Sequence, residues 1–106
     1  MRHPPKRRIV VIAEFSIHPI GKGTSVGRYV KAAVAAISQI EGLRYQVNPM
    51  STVLEAEKIE TILRAVTAAH RAVRALGARR VSSFLRIDDR QDKQRNMQDK
   101  VRVVTY

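Results

Sequence analysis

The chain contains no cysteine and no tryptophan, and only three tyrosines and two phenylalanines among its 106 residues. The first absence excludes a disulfide framework, a thiolate nucleophile and a Cys-ligated zinc. It leaves the redox compartment open, so a cytoplasmic location is the default expectation. The shortage of aromatics removes most of the platforms on which RNA-binding sheets stack bases. Acids are also few, nine against twenty Lys and Arg, giving a net charge of +11. No apolar run approaches the roughly 20 residues that cross a bilayer, and the run at 9–13 is too short for the apolar centre of a secretion signal. No membrane partner is expected.

What remains describes a single globular domain. At 106 residues, 44% hydrophobic and 27% charged, the chain is long enough for one two-layer core and too short for two. Residues 1–8 carry four positive charges, no acid and two prolines, which predicts a flexible basic tail. Residues 9–106 then form the folded unit. Arg64, Arg71 and Arg74 add further positive charge to a helical segment whose outer face is solvated. The excess charge reads as an aid to solubility. A basic RNA-binding module is the competing reading.

Hydrophobic spacing gives the order strand, helix, strand, strand, helix, strand. Over residues 9–17 every odd position is apolar, while the even ones change from Val10 and Ile12 to Glu14 and Ser16, so one face meets a core and the other turns polar. Pro19, Gly21 and Gly23 should end this strand, with Thr24 or Ser25 capping the next helix. Val26, Val30, Ala33, Val34, Ile37 and Ile40 recur at helical spacing up to Gly42. Leu43, Tyr45 and Val47 alternate with polar residues in a half-buried strand, and Asn48 and Pro49 break the chain before a third strand over 50–55. Ile59, Ile62, Leu63, Val66, Ala69, Val73 and Leu76 predict a second helix closed by Gly77. Val81, Ser83, Leu85 and Ile87 share one face of a last strand over 79–88. Residues 97–106 suit a short helix or an edge strand equally.

This order predicts an α+β, ferredoxin-like βαββαβ fold with an antiparallel four-stranded sheet and both helices on one face. The uncovered face would carry Glu14, Ser16, Gln46, Asn48, Phe84 and Arg86 beside Val10 and Ile12. Such a mixed surface calls for a cover, and self-association through the sheet is the expected one. The last strand runs into Asp88, Asp89, Arg90, Gln91, Asp92 and Lys93, a cluster that reads either as a ligand-holding end or as a salt-bridged turn.

Three segments resemble the small thiamine-binding ferredoxin-like family, relatives of the YkoF domain. Residues 17–25 (Ile-His-Pro-Ile-Gly-Lys-Gly-Thr-Ser) are similar to a P-x-G loop before a Ser-capped helix. Residues 45–57 (Tyr-Gln-Val-Asn-Pro-Met-Ser-Thr-Val-Leu-Glu-Ala-Glu) resemble a G/N-P-M-x-T-x-x-E-G-E run, and residues 87–93 (Ile-Asp-Asp-Arg-Gln-Asp-Lys) follow a K-I-D-x-R-x-D-K pattern. Ala56 stands where the family often has Gly, and Arg86 where it has Lys. The likeness spans nearly the whole chain. It implies assembly into homo-oligomers, dimers or tetramers, and binding of thiamine or its hydroxymethylpyrimidine part with no cofactor and no chemistry.

Thiamine joins a permanent thiazolium charge to an aminopyrimidine, so its site needs carboxylates, amide or hydroxyl partners and apolar walls. On the resemblance, Glu55 meets the amino group or the thiazolium, Thr52 and Asn48 bond ring nitrogens, Phe84 or Met50 supplies a wall, and Asp88 adds a second negative charge. Arg90 and Lys93, with Lys22, would serve a phosphorylated ligand instead. Other chemistries find less support. The Gly-Lys pairing at 21–22 lacks the spacing of a Walker loop, the three histidines make no metal set, and no nucleophile stands near a base at a spacing that supports catalysis. An acylphosphatase would need an Arg before the first helix, where only Lys22 stands, and an RNA-binding sheet would need aromatics where residues 50–55 have none.

Overall fold

Alternation along the first strand decides the architecture. Val11, Ala13, Phe15 and Ile17 are buried on one side, while Glu14 and His18 are exposed on the other, the period of 2 expected of a strand with one covered face. The computed structural model describes residues 9–24, 26–92 and 96–105. The expected tail at 1–8, the cap candidate Ser25 and Lys93 lie outside these residues. The elements are β1 (Val11–Ile20), α1 (Gly27–Ile37), β2 (Arg44–Val47), β3 (Thr52–Ala56), α2 (Ile59–Ala75), β4 (Arg80–Asp88) and α3 (Met97–Thr105). The sheet order is β2-β3-β1-β4 with every neighbouring pair antiparallel. The fold is therefore the expected ferredoxin-like α+β arrangement.

Helices α1 and α2 cover one face. Tyr29, Ala33 and Ile37 of α1 and Ile62, Ala65, Ala69 and Val73 of α2 recur at intervals of three or four residues, so each set forms one stripe. They meet Val11, Ala13, Phe15, Leu54 and Ala56 in the core. The stripe of α2 runs through Ala65 and not, as the sequence suggests, through Leu63, which is 45% exposed. At Gly77, with φ near +100°, α2 stops, and the glycine's N–H donates to the Arg74 carbonyl at 2.9 Å. This left-handed helix end favours glycine.

Two boundaries depart from the sequence reading. Strand β1 continues through Pro19 to Ile20. Its pairing with β3 ends at Phe15 and Thr52, so beyond Phe15 it pairs with β4 alone, where a residue lacking an N–H is tolerated. Helix α1 begins after Val26, which makes no side-chain capping bond, so Thr24 is not the cap. The ambiguous C-terminal segment is helix α3. Asn96 and Asp99 close a reciprocal cap, the Asn96 N–H donating to Asp99 at 3.1 Å and the Asp99 N–H to the Asn96 side chain at 2.8 Å. Among the described residues no helix is long and apolar enough to cross a membrane.

Candidate functional site

The face of the sheet turned away from α1 and α2 is not wholly bare, because α3 lies across one end of it. Between α3 and the strands runs a groove of about 520 Å³, within the roughly 300–1,000 Å³ of small-molecule sites. Ile12 and Val53 supply apolar surface from β1 and β3, Met97 and Val101 from α3. Glu14, Gln46, Asn48, Arg86, Asp88 and Lys100 supply the polar groups. Glu14, Val53 and Arg86 sit at one level of the sheet, on adjacent strands.

Glu14 is exposed, and among the described residues its polar partner is the Ser51 hydroxyl, which donates to it at 3.4 Å. It forms no ion pair within that set. Asn48, half-buried just past β2, accepts from the Gln46 amide at 3.1 Å, and Gln46 in turn accepts from Gln98 of α3 at 2.8 Å. Asp88 ends β4 and binds the Lys100 ammonium at 2.5 Å. That hydrogen bond and the charge behind it hold the Asp88 carboxyl below its ordinary value of 3.8, with Arg90 and Arg86 adding to the same direction.

The residues singled out in the sequence divide among three places. Asn48 and Asp88 line the groove. Thr52 does not: it sits opposite Phe15 and Val47 on the helix-covered face and is buried there. Phe84 is on the open face opposite Ser16, 55% exposed and outside the groove. Arg90 is exposed beyond β4 and bonds Asp92 at 2.7 Å. Met50 is 88% exposed in the turn between β2 and β3. Lys93 is outside the described residues.

Glu55 has a different occupation from the one its sequence position suggests. It is 4% exposed, on the open face but beneath the start of α3. One carboxylate oxygen accepts the Met97 N–H at 2.9 Å, and the other accepts from Arg44 at 3.4 Å. An acid at a helix N-terminus satisfies an orphan donor and meets the positive end of the helix dipole. Glu14, Gln46 and Arg86 are the polar lining groups that sequence reasoning placed on the open face without assigning to a site. The signal for them was strand alternation. Among the described residues no three His, Asp or Glu side chains gather as a metal would require.

Comparison with known proteins agrees with this architecture. The chain is 43% identical over 96 residues to a UPF0045 protein of Methanothermobacter thermautotrophicus, covering 90% of this chain and 96% of the relative. A protein of Methanocaldococcus jannaschii, known from its crystal structure, superposes with a TM-score of 0.81 at 40% identity over 90% of this chain and 95% of its own. A Bacillus cereus domain of unknown function gives a TM-score of 0.76 at 30% identity, over 88% of each chain. The family model described as "thiamine-binding protein" matches residues 13–105, from near the start of β1 to the end of α3. With nearly all of its sheet, both core helices and all of the groove but Ile12 inside that match, the chain belongs to the thiamine-binding protein family.

Proposed function

We propose that this protein binds thiamine, or a compound containing its hydroxymethylpyrimidine part, in the groove between the open sheet face and α3, and does so without chemistry. The observation that carries the reading is Glu14, a carboxylate lining a groove with apolar walls and, among the described residues, left with a single hydroxyl partner. A carboxylate so placed accepts from the exocyclic amine of an aminopyrimidine. The linked amides of Gln46 and Asn48 offer both donors and acceptors to ring nitrogens. Ile12, Val53, Met97 and Val101 form apolar walls, and Asp88 at the end of β4 faces the thiazolium. Thr52 has no part in this arrangement.

Exposed Phe84 and the 85% exposed Val104 of α3 support a second element of the reading, a homo-oligomer that covers the rest of the open face, because apolar groups in that setting gain by burial. Calorimetric titration with thiamine tests the site. A hydrogen bond to a charged group is worth about 1.5–3 kcal/mol, so Glu14→Gln should lower affinity roughly tenfold or more while circular dichroism stays unchanged. Undiminished affinity would reject Glu14 as a contact. The basic charge keeps RNA as the rival ligand. Its affinity would drop by orders of magnitude between 50 and 200 mM salt, through release of counterions from phosphates, where thiamine affinity changes little.

A further inference from the structure

Among the described residues four ionisable side chains line the groove, Glu14 and Asp88 against Arg86 and Lys100, and their charges balance. Three of the four belong to the sheet. Lys100 alone comes from α3, and it reaches Asp88 with both side chains about half exposed, 46% and 51%. The two halves of α3 are held differently. The first turn is fixed by buried Met97, by the Glu55 carboxylate and by the Asn96–Asp99 cap. Beyond Lys100, Val101 is 45% and Val104 85% exposed. Among the described residues the Lys100–Asp88 bond is the last polar tie from α3 to the sheet, the others being at Met97 and Gln98.

We propose that Lys100 determines which ligand charge the groove accepts: its ammonium occupies Asp88 as a resident cation, and a ligand with a fixed positive charge binds by displacing it. The proposal rests on the small-molecule reading of the groove and extends it to ligand selection. Without Lys100 the described lining carries a net charge of −1, which a monocation restores to zero. Binding of such a ligand is thus an exchange of one cation for another. An uncharged pyrimidine has nothing to offer Asp88 and leaves the lysine in place. A phosphorylated ligand would retain Lys100 as a donor to its phosphate.

The full chain and its Lys100→Met variant, titrated with thiamine and separately with uncharged 4-amino-5-hydroxymethyl-2-methylpyrimidine, separate these cases. Exposed ion pairs are worth little, so the variant should bind thiamine about three- to fivefold more tightly. Affinity for the uncharged pyrimidine should stay within about twofold. Weaker thiamine binding by the variant, or an equal gain for both compounds, would overturn the proposal. If the wild-type protein binds neither compound, the small-molecule reading is what fails. The Lys100–Asp88 contact is then judged in the ligand-free protein, where Lys100→Met should speed amide exchange over residues 101–105 severalfold and leave residues 97–99 unchanged. Unchanged exchange at 101–105 would show that the ammonium holds nothing.

Discussion

Removing the Glu55 carboxylate should free α3 without unfolding the domain. In Glu55→Ala the Met97 N–H loses an acceptor held at 2.9 Å in a setting where Glu55 is 4% exposed. A hydrogen bond to a charged group contributes about 1.5–3 kcal/mol. The Arg44 contact adds little, because that guanidinium is 67% exposed and 3.4 Å away and solvent screens such pairs to about 0–1 kcal/mol. The loss is thus about 1.5–3 kcal/mol, and it falls on the docking of α3. Converted to an opening equilibrium it is roughly a 10- to 150-fold change. Hydrogen–deuterium exchange reads it directly: amides at 97–100 should exchange faster by that factor, while amides of β1 and β3 keep their wild-type protection. Glu55→Gln, which keeps an acceptor but loses the charge, should lie between. Exchange at 97–100 within twofold of wild type would refute the anchor, and an equal acceleration throughout the sheet would show that Glu55 supports the whole fold instead.

The Asp88–Lys100 contact makes the second half of α3 sensitive to acid. The Asp88 carboxyl titrates below its ordinary 3.8 in the folded protein, so the contact's stabilisation is complete above that ordinary value and is lost as pH falls through the lower folded one. Amide exchange over 101–105, corrected for its intrinsic pH dependence, should be flat from pH 7 to about 5 and rise below about 4, and a rise centred near neutrality would contradict the assignment. Thr52→Val should leave thiamine affinity unchanged, because Thr52 is buried on the helix-covered face. A tenfold loss in calorimetry with that variant would move the site to the other side of the sheet.

The separation of Thr52 from Glu55 was written in the sequence. Residues three apart in a strand point to opposite faces, so one small ligand lying on one face cannot meet both. The same alternation puts Glu14, Val53 and Arg86 side by side once the register is known. The burial of Glu55 was not legible, since it depends on a helix that begins 42 residues later. Nothing local tells a carboxylate that a backbone amide will arrive from so far away. Helix α3 itself was partly legible. Asn96 and Asp99 stand three apart in a capping pattern, and Met97, Val101 and Val104 follow at helical spacing, yet Val101 and Val103 fit a strand equally well. Leu63 and Ala65 show the reverse problem. Leucine is the better apolar marker, but packing of α2 on the sheet selected the small alanine, which lets the helix approach closely and leaves Leu63 at the margin.

A net charge of +11 is a poor guide to what such a molecule can hold. Screening at physiological salt acts over about 8 Å, so Arg64, Arg71 and Arg74 on the outer side of α2 contribute little inside a groove on the far side of the sheet. Among the described residues the charged groups lining it are Glu14, Arg86, Asp88 and Lys100, a set whose charges cancel. A groove that is neutral because it already holds a cation differs from one that is neutral because it holds no charge. The first can take a positively charged ligand at the cost of releasing a lysine into water, where an ammonium is well solvated, and each step conserves the local charge. On the proposed reading, selectivity between a vitamin cation and its uncharged half rests on one side chain of α3, and on the buried Glu55 that holds the start of that helix in place.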